Sequence, residues 1–566
     1  MTTTARLLAA ASILAILAGC SSAADSGAAL RTSAGPAPCP APPPGGAPLA
    51  CANPAEDAKA MGRVGFVALE EARDGLSGVR APSETPSTEQ YAHIDENPFL
   101  RVSRNPLSTF SVDVDTASYA VVRRFLNEGR LPPAGAVRLE ELVNYFPYDY
   151  APPRDGTPFA VHLESATCPW KPGHRLVRIG IKGRTFEEEE RPAANLVFLV
   201  DVSGSMRPAN KLPLLKASLR MLAERVEARD RVAIVVYAGS SGLALPSTTG
   251  DRRQQILDAL DRLEAGGSTN GTAGIRLAYQ VAEQNLVRGG TNRVILATDG
   301  DFNVGTTSND ELVRLIGEKA KSGVFLSVLG FGTGNTKDDR MEALADRGNG
   351  NYAYVDTLAE GRKVLVAQAG GTLHTIAKDV KIQVEFNPAR VAGYRLLGYE
   401  NRLLRDQDFQ DDARDAGEIG AGHTVTALYE VVPAGVEVPA PGEEPLKYQE
   451  TRESPEAGGP EMLTVSLRWK EPDGVSSRLA RFPLADEARE FAASSTDFRF
   501  AASVACFGMA LRGSAHGSGA SYDTALELAS GALGADEGGW RHEFLGLAGR
   551  TRSLAAQPRQ EVGGGL

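Results

Sequence analysis

Three stretches of the chain bring together oxygen-bearing side chains of a kind that hold a hard cation. The apolar run Leu196–Val200 ends in Asp201-Val-Ser203-Gly-Ser205, a carboxylate and two hydroxyls within one turn. GGSTNGTAG at 266–274 offers Thr269, and VILATDG at 294–300 offers Asp299. Oxygen donors of low total charge suit Mg²⁺, which takes about six oxygens at about 2.0–2.1 Å and usually keeps several waters. Three hydroxyls and two carboxylates leave at least one position open. If the carboxylates act through water, the cation stays electrophilic and open to an outside anionic oxygen. Mn²⁺ and Ca²⁺ are alternatives to Mg²⁺. Thr272 is the alternative to Thr269, which directly follows the Gly-Gly-Ser turn.

Other signals are weaker. Asp299-Gly-Asp301-Phe-Asn303 begins like a calcium loop, but that loop needs Gly at its sixth position and Glu at its twelfth, where Val304 and Asp310 stand. Asp113 and Asp115 read as hydrogen-bonding residues at a strand–helix junction rather than as ligands. The seven histidines are scattered and form no HExxH pattern. No GxSxG elbow surrounds Ser203 or Ser205. GFGTGNT at 330–336 lacks the Lys-Ser/Thr of a phosphate-binding loop and reads as a strand–helix turn. No catalytic residue is assigned.

The elements that must position these donors follow from hydrophobic rhythm. LVFLV, VAIVVYA, VILA and VFLSVLGF are near-continuous apolar runs, as expected of strands covered on both faces. Between them lie helical periodicities, Leu212, Leu215, Leu219, Leu222 and Val226 in one segment and Ile275, Tyr279, Ala282 and Leu286 in another. Ser308-Asn-Asp-Glu311 reads as a capping box. Alternating strands and helices predict an α/β fold with a doubly wound parallel sheet, which presents ligands at the carboxyl ends of its strands. Before it, FAVHLESATC and HRLVRIGIKG alternate at period two; after it, so do VKIQVEF, TVTALYEVV, LTVSLRW and SRLARFPL. The shared style of the two flanks predicts one antiparallel β domain with the α/β unit inserted into it, followed by C-terminal helices.

The 566 residues are enough for two or three domains, and the net charge of −11 argues against a nucleic-acid partner. After Arg6, the run LLAAASILAILAG is shorter than the roughly 18 residues of a membrane span and fits a signal-peptide core. Leu17-Ala18-Gly19-Cys20 resembles the lipobox of bacterial lipoproteins, which implies cleavage before Cys20 and lipidation of its thiol. Ser21 matches the outer-membrane sorting pattern. The expected location is therefore the cell envelope, with a lipid anchor in the outer membrane facing the periplasm. The Pro/Gly/Ala-rich stretch that follows cannot bury a core and reads as a tether. Cys39 with Cys51, and Cys168 with Cys506, are the pairings an oxidising compartment would allow, the second only if distant segments touch. The expected division is signal peptide 1–19, tether 20–96, N-terminal flanking region 97–193, α/β domain 194–372, β-rich region 373–485 and helical region 486–566.

DVSGS, the GGSTNG threonine and TDG resemble the metal-ion-dependent adhesion site of von Willebrand factor type A domains. In that family the two serines and the threonine ligate the metal, the aspartates often act through water, and a partner's Asp or Glu completes the shell. The flanking stretches NPLSTFSVDVDTASYAVVRRFLNEG, CPWKPGHRLVRIGIKG and VEFNP…YRLLGYENR are similar to the bacterial YfbK-like lipoproteins. The resemblance implies a metal site of Asp201, Ser203, Ser205, Thr269 and Asp299, and a non-enzymatic module gripping a carboxylate-bearing protein partner. A metal-assisted envelope hydrolase and a scaffold with a structural metal are the alternatives.

Overall fold

The computed structural model describes residues 88–557, except 114, 155, 187–190, 269–270, 301–308, 369–370, 372–373, 415, 441–446, 449–451 and 473. The expected signal peptide, Cys20, most of the tether, Cys39, Cys51, Thr269 and Ser308 lie outside the described residues.

The central sheet has six strands in the order Tyr352–Val355, Phe325–Phe331, Thr291–Thr298, Ala194–Asp201, Arg231–Tyr237 and Ser241–Thr249. Every adjacent pair is parallel except the last. That antiparallel edge strand is not legible in the apolar rhythm, because it is half-exposed and contains Pro246, a residue tolerated at edges. The strand Ala194–Asp201 is buried at every position, as its unbroken apolar run requires. Val197 and Leu199 face one helical layer; Phe198 and Val200 face the other. Helices Leu212–Ala223 and Arg253–Asp261 cover the Phe198 face, and helices Gly271–Gln284, Asn309–Lys321 and Asp338–Arg347 lie on the opposite side. The Val197 face is also covered by Ala120, Val121 and Phe125 of the helix Ala117–Asn127, so the α/β unit borrows part of its outer layer from the preceding segment.

The flanking strands form two antiparallel sheets. One runs Leu100–Arg101, Val391–Leu397, Thr424–Pro433, Arg175–Gly183, Phe159–Thr167; the other runs Leu403–Leu404, Leu107–Ser111, Thr375–Phe386, Glu461–Lys470, Ser477–Ala485. Ile179, Ile181, Ile382, Val384, Val465 and Leu467 share one core between them. Arg175–Gly183 pairs with Thr424–Pro433, and Leu107–Ser111 pairs with Thr375–Phe386, so each sheet joins chain from before the α/β unit to chain from after it. Insertion is thus a fact of strand pairing. Arg175–Gly183 departs from strict alternation, with both its faces largely buried, because the C-terminal helical layer covers its outer side.

That layer comprises helices Thr496–Arg512, Tyr522–Ser530 and Trp540–Ala555, packed with Leu139–Asn144 around Phe146, Phe500 and Phe544. Cys168 and Cys506 both belong to this core, but the expected pairing is not made, and both thiols are free. Asp113 and Asp115 lie at the expected junction, where Asp115 accepts from the Tyr352 backbone at 2.7 Å and from Arg402 at 3.3 Å.

Candidate metal centre

The strand order reverses direction between Ala194–Asp201 and Thr291–Thr298, the place where doubly wound sheets open a crevice at their carboxyl ends. Asp201 ends the first of these strands and Asp299 follows the second; both are fully buried. The backbone leaves Asp201 in a turn in which its Oδ1 accepts from the Ser203 amide at 2.8 Å. This turn aims both serines the same way, and Ser203 Oγ lies 3.0 Å from Ser205 Oγ. The Gly-Gly turn docks alongside, Gly266 donating to the Val202 carbonyl at 2.7 Å and Gly204 to the Gly267 carbonyl at 3.1 Å. Thr269, two residues further on, is outside the described residues. Thr272 lies within the Gly271–Gln284 helix and is buried.

Asp299 interacts with the Ser205 hydroxyl, and its charge acts on Asp201, so Asp201, Ser203, Ser205 and Asp299 form one cluster. The two acids are held differently. Burial pushes Asp201 up to about 6, with the Asp299 charge adding to it and hydrogen bonds from Ser203 opposing. The Tyr237 hydroxyl faces the same carboxylate, yet Asp201 Oδ2 has no partner at hydrogen-bonding geometry among the described residues. Burial also raises Asp299, but the Lys211 ammonium, with Ser205 and Asn335, holds it below its ordinary value. Lys211 Nζ donates to Asp299 Oδ2 at 2.8 Å and to Asn335 Oδ1 at 3.2 Å.

Lys211, Asn335 and Tyr237 escape motif reading because they come from other elements. Lys211 precedes the helix Leu212–Ala223, Asn335 sits in the turn after Phe325–Phe331, and Tyr237 ends the neighbouring strand. The one available signal is glycine. Gly332 has φ +78°, and a Cβ there would stand 2.2 Å from Lys211 Cε, so the Lys211 stem crosses a gap that any side chain would close. Gly300 has φ +97°, and a Cβ would stand 2.8 Å from Thr336 Cα; this lets the chain after Asp299 press against the Asn335 turn.

The donor set fits a hard cation: two hydroxyls at 3.0 Å and two buried carboxylates, one with an orphaned oxygen. Among the described residues no cluster of three or more His, Cys, Asp or Glu is placed to hold a metal, so a soft-metal site of the zinc type has no support here. Asp201, Ser203, Ser205 and Asp299 would hold the ion, Lys211 reducing the negative charge on one carboxylate.

Family models agree with this architecture. The von Willebrand factor type A domain model matches residues 195–365, a von Willebrand factor model matches 85–178, and the model of the YfbK C-terminal region matches 371–554. The chain is 45% identical to the uncharacterized protein YfbK of Escherichia coli over 475 residues, 82% of this chain and 81% of the relative. It therefore belongs to the YfbK family of von Willebrand factor type A proteins. The 60 kDa subunit of magnesium chelatase from Rhodobacter capsulatus is 35% identical over 132 residues, 22% of each chain. A von Willebrand factor type A structure from Catenulispora acidiphila aligns with 68% of this chain and 89% of its own at a TM-score of 0.38 and 16% identity. A domain of this class points to a role in protein interaction.

Proposed function

We propose that the protein is a lipid-anchored envelope module that binds a protein partner through a divalent cation, Mg²⁺ in the first instance, held by Asp201, Ser203, Ser205, Thr269 and Asp299. The observation that carries this reading is the paired serine hydroxyls 3.0 Å apart beside a buried Asp201 oxygen without a hydrogen-bond partner among the described residues. A buried carboxylate oxygen with no donor at hydrogen-bonding geometry is costly unless a cation meets it. Two acids against Lys211 leave a net charge of −1, so a bound divalent ion makes the site +1 and attracts an anionic oxygen from outside. A partner's Asp or Glu supplies one. The site is read as non-enzymatic because a domain of this class points to protein interaction. Cys20 would carry the anchor, with the tether setting the reach of the domain from the membrane.

The test is calorimetric titration of Mg²⁺ and Mn²⁺ into the protein and its Ser203→Ala/Ser205→Ala variant, followed by capture from envelope extracts with and without chelator. Saturable one-site metal binding lost in the variant, and partner capture lost with chelator, are expected. Metal binding unchanged by removal of both hydroxyls would overturn the assignment.

A further inference from the structure

A second cavity lies away from the metal site. It has a volume of about 460 Å³ and is bounded by three bodies: the α/β sheet through Ile295, Leu329 and Ala353, the N-terminal flank through Phe146, and the C-terminal helices through Trp540. Pockets that hold small molecules run from roughly 300 to 1,000 Å³. Most of this wall is apolar, and the metal donors lie at the other end of the same sheet, beyond the strands' carboxyl ends.

Two ammonium groups and one carboxylate stand on its wall. Lys182 lines it and donates to the Gly422 carbonyl at 2.7 Å, but no ion pair engages it among the described residues. Lys363 lines it too, its ammonium donating to the Tyr145 carbonyl at 2.7 Å and lying over the Tyr145 ring. Ser327, another wall residue, accepts at 2.7 Å from Arg293, which is 3% exposed. Arg293 Nε has no hydrogen-bond partner among the described residues, and the Glu418 carboxylate acts on that guanidinium through its charge. His423, beside Lys182, is held neutral by burial, its pKa pushed down to about 4. The acid in the wall, Asp115, is already engaged by Arg402 and the Tyr352 amide. Lys182 is partly buried and bound to a carbonyl rather than to a carboxylate, so an anionic group entering the apolar chamber would meet its ammonium.

We infer that this cavity binds an amphipathic organic anion, an acyl chain with a carboxylate head, the head meeting Lys182 and the chain lying against Phe146 and Trp540. Charge complementarity selects the head and the apolar wall selects the chain. The site is independent of the divalent cation.

The experiment uses the full chain in chelator with three probes: dodecanoate, dodecanol and acetate. Dodecanoate is expected to bind saturably with one equivalent, and both dodecanol, which loses the charge-assisted hydrogen bond, and acetate, which loses the apolar chain, at least about tenfold more weakly. Lys182→Met is expected to weaken dodecanoate about tenfold while leaving dodecanol unchanged. A brominated dodecanoate is expected to quench tryptophan emission in the parent protein and far less in Trp540→Phe, a readout that does not depend on the folding of the lysine variant. Equal affinity for dodecanol and dodecanoate, absence of saturable binding, or quenching that survives Trp540→Phe would each overturn the inference.

Discussion

At the scale of single residues, the two acids of the candidate metal centre are opposites. Asp299 is stabilised by a neighbouring ammonium, whereas Asp201 is ionised against its surroundings, its pKa raised from 3.8 to about 6 chiefly by burial. A carboxyl whose folded pKa is raised favours folding while it is protonated. That contribution is full below pH 3.8 and is lost as pH rises through 6. Metal-free protein at neutral pH therefore carries the cost of this buried charge. Asp201→Asn keeps an oxygen for the Ser203 amide and removes the charge, so it is expected to stabilise the metal-free protein by up to about 3 kcal/mol at pH 7. The gain should fade as pH falls towards 4, and the variant should lose divalent-ion affinity. Denaturant unfolding in chelator at pH 7 and pH 4 checks it; a variant less stable than its parent at pH 7 would contradict the account. A functional residue that destabilises its own fold is the usual sign of a site waiting for a ligand.

Among the elements, the sequence displayed what repeats and hid what converges. Unbroken apolar runs made the parallel strands legible, since no residue of Ala194–Asp201 reaches solvent. The period-two flanks made the β domain legible, and Phe110 and Val112 face its interior. The edge strand Ser241–Thr249 was hidden because an edge needs neither pattern. The local motif around Asp201 was legible because one turn forms it, whereas Lys211 reaches Asp299 across 88 residues with only Gly332 to betray its path. The Asn335 turn thus does more than connect a strand to a helix; it cradles the lysine. Gly332→Ala is expected to cost about 2 kcal/mol or more, from positive φ and from the clash with the Lys211 stem. In a Lys211→Met background the clash meets a shorter side chain without a charge to hold it in place, so the second substitution should cost less than it does alone. Additive effects in this double-mutant cycle would show that the stem does not depend on the glycine gap.

Across the whole molecule, the inserted domain is clamped by buried ion pairs rather than hung on linkers. Arg138 of the flank pairs with Asp338 and Glu342, both of the Asp338–Arg347 helix, and Arg402 of the β domain pairs with Glu342 and Asp115. The chain emerging from the tether joins this clamp beside the metal centre. Thr88 donates to the Gly334 carbonyl at 2.8 Å, Gln90 donates to the Thr336 carbonyl at 3.0 Å, and Glu89 accepts from the Gly334 amide at 2.8 Å. Glu89 also forms a two-point pair with Arg124, both distances 2.8 Å. The strap therefore fixes both neighbours of Asn335, the residue that shares Lys211 with Asp299. Burial raises the Glu89 pKa, but Arg124 and the Gly334 amide outweigh it and hold it below its ordinary 4.5. A depressed carboxylate stabilises fully above its unfolded pKa and loses that contribution as pH falls through the folded value. Glu89→Gln is accordingly expected to cost about 2–3 kcal/mol at pH 7, the gap to the parent closing as pH falls below 4.5 and the parent protonates. Because the strap seats the Asn335 turn, the same variant should also weaken Mg²⁺ binding, although Glu89 is no ligand. Glu128→Gln, a change at a surface ion pair on the same flank, should alter neither quantity. If Glu89→Gln lowers stability but leaves Mg²⁺ affinity at the parent value, the strap holds the fold without tuning the site. If both fall together, the strap sets Mg²⁺ affinity through the Asn335 turn.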